Sequence, residues 1–155
     1  MPVNVFLSYD FNDNQQAMSL RTLLADPNHP IEFHDRSPQA PVVGRRGKPL
    51  AFPPEDPSAA PVRREIIRKF NQSTRLIVLV GEYTYQSKWV KWEIVNFFEK
   101  KKRLQGPPAS SRIAAMHLRG HSKATLPDAL MTRCCLVLEW NPRELARWLA
   151  SDLGD

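Results

Sequence analysis

Residues 75–81 read Arg75-Leu76-Ile77-Val78-Leu79-Val80-Gly81, an uninterrupted apolar run from Leu76 to Val80 opened by an arginine and closed by a glycine. It is far short of the roughly 20 residues that cross a bilayer, and turn signals bound it on both sides. A run apolar at every position has no polar face to show to water. It therefore predicts a strand buried on both faces, the usual condition of a parallel sheet with helices on either side.

The neighbouring segments agree with that reading. Val3-Asn4-Val5-Phe6-Leu7 is a short run of strand formers ending at Ser8-Tyr9-Asp10. Asp13 offers an N-cap to a helix in which Ala17, Leu20 and Leu24 recur at helical spacing, and Pro27 closes it. Ile31-Glu32-Phe33-His34 alternates as a half-buried strand, ended by Asp35-Arg36-Ser37. From Pro27 to Pro61 lie nine of the fourteen prolines, with Gly44, Gly47 and a basic cluster among them, so residues 37–60 are expected to form a Pro-rich loop. Pro61 suits the start of a helix carrying Val62, Ile66 and Phe70 on one face. After the central run come a helix from Lys88, a strand at Arg112-Ile113-Ala114-Ala115-Met116-His117 and another at Cys135-Leu136-Val137-Leu138. Asn141-Pro142 then caps a last helix with Leu145, Trp148 and Leu149 turned inward. The alternation predicts an α/β, flavodoxin-like three-layer fold with a five-stranded, mostly parallel sheet, spanning residues 1–155 as one domain.

Composition narrows the function classes. A hydrophobic fraction of 42% and a charged fraction of 25% suit a globular domain. MPVNVFLSYD lacks the basic start and apolar stretch of a signal peptide. The two cysteines, Cys134 and Cys135, are adjacent in a strand-like run and poorly placed to bridge each other, which favours a reducing, cytoplasmic setting. The net charge of +6 resides partly in two clusters, Arg45-Arg46-Lys48 and Lys100-Lys101-Lys102-Arg103. Neither interleaves with aromatics, so both read as a solvated loop and a solvated helix C-terminus rather than a nucleic-acid interface. His29, His34, His117 and His121 are scattered, and no metal site is expected from them. There is no Gly-x-Gly-x-x-Gly element, P-loop or nucleophile elbow.

Open parallel sheets bind ligands beyond the carboxyl ends of their strands, at the switch in strand order. The segments there are Ser8-Tyr9-Asp10, Asp35-Arg36-Ser37 and Gly81-Glu82-Tyr83-Thr84. Following them, Ser87-Lys88-Trp89-Val90-Lys91-Trp92-Glu93-Ile94 opens a helix with Ser87 as its cap. Val90, Ile94, Phe97 and Phe98 form the apolar stripe, and Glu93 lies about 85° from its centre, at the border, one turn beyond Trp89. A carboxylate at that border is expected to be neither fully buried nor free in solvent.

These segments resemble the boxes of Toll/interleukin-1 receptor (TIR) domains. Asn4-Val5-Phe6-Leu7-Ser8-Tyr9 is similar to the first box, and Trp89-Val90-Lys91-Trp92-Glu93 to the Trp-Cys-x-x-Glu helix, with Val90 in place of cysteine. Ile77 to Glu82 and Ser87 to Val90 look most like the bacterial TIR-like branch, which includes the signalling subunit of the Thoeris anti-phage system. The Pro-rich loop has no clear match to the second box. The resemblance implies an enzyme that cleaves NAD+ between nicotinamide and ribose, with Glu93 catalytic and NAD+ as substrate rather than cofactor. Phe6, Ser8, Tyr9, Asp35, Arg36 and Trp89 are the implied substrate contacts. Local alternatives stay open: turn capping by Ser8 and Asp35, a surface arginine rather than a pyrophosphate contact at Arg36, and core sealing rather than base stacking by Trp89. The implied partners are a separate effector protein reached through a diffusible nucleotide and further copies of the chain, with no membrane. The rival readings are a non-enzymatic TIR interaction module, a receiver domain, which Gly81-Glu82 and Glu139-Trp140 argue against, and a nucleoside deoxyribosyltransferase.

Overall fold

The computed structural model describes residues 3–28, 30–36 and 52–151. Among these residues lie five strands: β1 (Val3–Ser8), β2 (Ile31–Asp35), β3 (Arg75–Val80), β4 (Ile113–His117) and β5 (Leu136–Leu138). Four helices accompany them: α1 (Asn14–Leu23), α2 (Ala60–Gln72), α3 (Lys88–Lys102) and α4 (Pro142–Ala150). The strands pair in the order β2-β1-β3-β4-β5, every pair parallel, so the order reverses between β1 and β3. All six residues of β3 are buried: Leu76 to Val80 as their apolar run requires, and Arg75 with its guanidinium against Trp148.

Side-chain alternation divides the core between the two faces of the sheet. Phe6, Leu76, Val78, Val80, Ile113 and Ala115 meet Val62, Ile66 and Phe70 of α2 and Val90, Ile94 and Phe97 of α3. Phe6 and Phe97 each meet Phe70 edge-on, at centroid distances of 4.8 and 5.4 Å. On the other face, Val5, Leu7, Ile77, Leu79 and Met116 pack against Ala17 and Leu20 of α1 and Leu145 and Leu149 of α4. Trp148 is half-buried at the edge of that layer, with the Arg75 guanidinium 4.7 Å from its ring centroid. Ser87 and Asn141 cap α3 and α4 as expected, accepting from the Val90 and Glu144 amides.

Several local expectations are corrected. Asp13 makes no capping bond; instead Asp10 caps a short 3₁₀ turn over Phe11–Asp13, accepting from the Asn12 amide at 2.9 Å. That turn frees the Asp13 carboxylate to pack on the backbone of Gly81. Within the Pro-rich segment Asp56 caps a turn at Pro57–Ala59 that leads directly into α2; residues 37–51, with the Arg45-Arg46-Lys48 cluster, lie outside the described residues, as does His29. Arg112 belongs to a 3₁₀ turn before β4, and β5 begins at Leu136. Cys134 and Cys135 are free thiols.

Gly81 has a steric reason to be glycine. An added Cβ would lie 2.7 Å from Asp13 Cγ and Oδ1. Those atoms end a half-buried side chain that can turn aside, so Gly81→Ala is expected to cost up to about 1 kcal/mol of stability, most of it relieved in the Asp13→Ala background. Urea denaturation of the single and double variants checks this; a full penalty in the double variant would contradict the contact.

The basic run at the end of α3 is not uniformly solvated. Lys101 is only 6% exposed because it continues the apolar spacing of Val90, Ile94 and Phe97. Its Nζ donates to the Phe70 carbonyl at 2.9 Å, satisfying a C-terminal carbonyl of α2. Burial, with Arg112 and Lys100 adding repulsion, lowers its pKa to about 8 from the ordinary 10.5. Between those values the unfolded chain holds the proton more tightly than the folded one, so stability rises with pH across that window. From about pH 8 to 9.5 the wild-type chain is expected to gain urea resistance that Lys101→Met lacks. Parallel pH profiles would contradict this.

Candidate active site

The carboxyl ends of β1 and β2 and the second turn of α3 converge on Glu93. The β1–β2 register pairs Leu7 with Asp35, which carries Ser8 and Arg36 past the ends of their pairing towards α3. Ser8 points to the α2–α3 face, as Phe6 does two residues earlier. Its Oγ donates to Glu93 Oε1 at 2.8 Å, and Arg36 Nη1 donates to the same oxygen at 3.0 Å. Arg36 Nη2 donates to the Tyr9 carbonyl at 3.1 Å, and its guanidinium lies 5.6 Å from the Trp89 ring centroid. Trp89 is half-buried, its indole N–H donating to the Phe52 carbonyl at 2.8 Å and its ring meeting Trp92 edge-on.

Glu93 is 0% exposed, a correction to the border position its helix wheel gives. A wheel sees one helix only; here the ends of two strands close over the border. Oε2 is buried and has no hydrogen-bond partner among the described residues. Burial raises the Glu93 pKa from the ordinary 4.5 to about 7, against the opposing pull of Arg36 and Ser8, with Asp35 adding to the rise. Near neutrality the carboxyl is thus poised between its two forms.

Other expected site residues occupy different positions. Tyr9 points to the opposite face of the sheet, where its hydroxyl donates to Asp35 Oδ2 at 2.7 Å and Arg21 pairs with the same oxygen. Burial, then Asp35, pushes the Tyr9 phenol well above its ordinary value. Asp35 is 6% exposed and its backbone carbonyl accepts from Lys69 Nζ at 2.6 Å. This network braces the strand ends and, among the described residues, meets the Glu93 cluster through Arg36, the Tyr9 carbonyl and the charge of Asp35. Phe6 is fully buried in the core and lies behind the site. Ser8, Arg36, Trp89 and Glu93 are thus brought together, while Tyr9, Asp35 and Phe6 support them. The sequence reading missed Arg21; the signal was an arginine on the helix after β1, facing an acid at the end of the neighbouring strand.

A separate groove between Pro54–Glu55 and α3 is lined by Lys88, Lys91, Trp92 and Val95, and Glu93 is not part of its wall. Among the described residues no group of three or more His, Cys, Asp or Glu side chains is arranged to hold a metal ion. No helix among them is long and apolar enough to cross a membrane.

A parallel sheet ordered 2-1-3-4-5, with a carboxylate buried beside its switch point, defines a flavodoxin-like α/β domain. The family model for the TIR-like domain of the Thoeris protein ThsB matches residues 6–107, and the chain belongs to that family. The match runs from Phe6, within β1, through α3 and takes in every member of the Glu93 cluster. No curated protein matches the chain. Membership assigns the protein to TIR-like defence domains and to partnership within a defence system.

Proposed function

We infer that the chain cleaves NAD+ at the bond between nicotinamide and ribose and produces an ADP-ribose-derived, cyclic signalling nucleotide in anti-phage defence, read by a separate effector protein. The observation that carries this reading is the state of Glu93: a buried carboxylate anchored through Oε1 by Ser8 and Arg36, with Oε2 unengaged among the described residues.

The chemistry needs little more than that. In NAD+ the nicotinamide nitrogen is already cationic, so the C–N electron pair leaves with a neutral base and no general acid has to protonate it. The ribose passes through an oxocarbenium-like transition state, as in other glycosidic cleavages. A fixed carboxylate beside it accepts hydrogen bonds from ribose hydroxyls and stabilises the developing positive charge, more strongly where water is excluded. A nucleophile then completes the reaction: water gives ADP-ribose and a proton, and a nitrogen or hydroxyl of the same molecule closes the ring. Access to Oε2 requires a neighbouring side chain to move aside, since Glu93 has no exposed surface.

The test is incubation of concentrated protein with NAD+, with products separated by chromatography and weighed by mass spectrometry. Nicotinamide should appear with a second product whose mass is that of NAD+ less nicotinamide; a product one water heavier would replace cyclisation by hydrolysis. Intact NAD+ under every condition, including lysate from infected cells, would remove the enzymatic reading.

A further inference from the structure

We propose that Arg36 is a positioning residue for Glu93, not a pyrophosphate contact: with Ser8 it holds Oε1, so that Oε2 is the oxygen presented to the ligand. The inference rests on the reading of Glu93 as the catalytic carboxylate. Both terminal nitrogens of the guanidinium are engaged, one on Glu93 Oε1 and the other on the Tyr9 carbonyl. Trp89 covers the group at 5.6 Å from its ring centroid, and the Arg36 side chain is 17% exposed. A planar fork held at three points fixes direction as well as charge. Two of its five N–H donors are committed, one to Glu93 and one to Tyr9, so the group is already fixed in direction towards the carboxylate before any ligand arrives.

The two carboxylate oxygens are correspondingly unequal. Oε1 accepts from a hydroxyl and a guanidinium, while Oε2, equally buried, accepts from nothing among the described residues. A buried anionic oxygen without a donor is costly, and a group of the ligand is its natural partner. Ser8 anchors Oε1 without charge, so the counter-charge to Glu93 comes from Arg36. The facing acid is Asp35, which pairs with Arg21. Removing the Arg36 charge should therefore favour the protonated carboxyl, which cannot stabilise a cationic centre.

The test follows the Glu93 carboxyl directly by carbon-13 NMR of protein labelled at glutamate carboxyls, the signal assigned by its loss in Glu93→Gln. In the wild-type protein its midpoint should lie near pH 7. In Arg36→Met it should move up by about 1–2 pH units, and Arg36→Lys should hold it close to wild type. Should Arg36→Met fail to fold, Arg36→Gln, equally uncharged, carries the same prediction. An unmoved midpoint in the neutral variant would overturn the proposal. Kinetics separates the two roles for Arg36: a positioning residue lowers kcat at pH 7 by about 5- to 50-fold and shifts the pH profile upward, with KM little changed. A raised KM with an unmoved profile would mark a pyrophosphate contact and overturn it too. The titration needs no turnover, so an inactive wild type would count against the enzymatic reading while leaving the Arg36–Glu93 coupling to be decided.

Discussion

Raising the pH from about 4.5 to 7 should destabilise the wild-type protein, and Glu93→Gln should remove most of that loss. The folded-state pKa of Glu93 is raised to about 7 from the ordinary 4.5, chiefly by burial. Between those values the folded chain binds the proton more tightly than the unfolded one. The stabilisation is therefore fully present below pH 4.5 and disappears as pH climbs through 7. The gap corresponds to something on the order of 3 kcal/mol, or roughly 6–10 °C in melting temperature for a domain of this size. The slope is the readout, because Gln also leaves Arg36 facing a neutral group and alters the absolute stability. Calorimetry of both proteins in buffers from pH 4.5 to 8 checks it. A wild-type profile parallel to that of Glu93→Gln would mean that the carboxyl does not titrate in this range. The Lys101 effect lies above pH 8 and does not overlap this window.

The same acid should dominate the kinetics. Loss of one preorganised electrostatic group at a transition state typically costs 10²–10³-fold, and Glu93→Gln should lower the rate of nicotinamide release by about that much. Gln keeps the shape and the Ser8 and Arg36 contacts but carries no charge for the oxocarbenium-like centre. Ser8→Ala removes one anchor of Oε1 and leaves the charge, so a smaller loss of about 10-fold is expected. The wild-type rate should rise with pH through about 7 as Glu93 ionises. Steady-state kinetics of the three proteins over pH 5.5 to 8.5 tests this. Equal effects of the two substitutions would show that Glu93 acts only as a structural partner.

The fold was legible because its strongest signal was local. Residues 76–80 are apolar at every position, and burial on both faces explains such a strand. The switch in strand order followed from the order of elements, and Ser87 and Asn141 carried visible capping chemistry. The environment of Glu93 was only half legible. Its angle on the α3 wheel set it beside the core, but its depth depends on Ser8 and Arg36, which reach it across 85 and 57 residues of chain. Contacts of that range rest on strand register, here Leu7 against Asp35, which residue type alone does not reveal. Alternation along β1 separates Tyr9 from Ser8, and the Asp35–Arg21 pair that fixes Tyr9 on the far face depends on the same register. Lys101 is a different kind of miss. Its spacing from Val90, Ile94 and Phe97 was readable, but the basic run around it suggested a solvated face.

The most direct test of the central claim is nicotinamide release from NAD+ by wild-type protein and by Glu93→Gln at matched concentration, with and without lysate from infected cells. Release by the wild type in at least one condition, reduced by about 10²-fold or more in a variant that remains folded, is the expected result. Release that persists unchanged in Glu93→Gln would place the chemistry elsewhere. No release in any condition, together with defence in cells that survives Glu93→Gln, would contradict the account and leave a TIR-like interaction module.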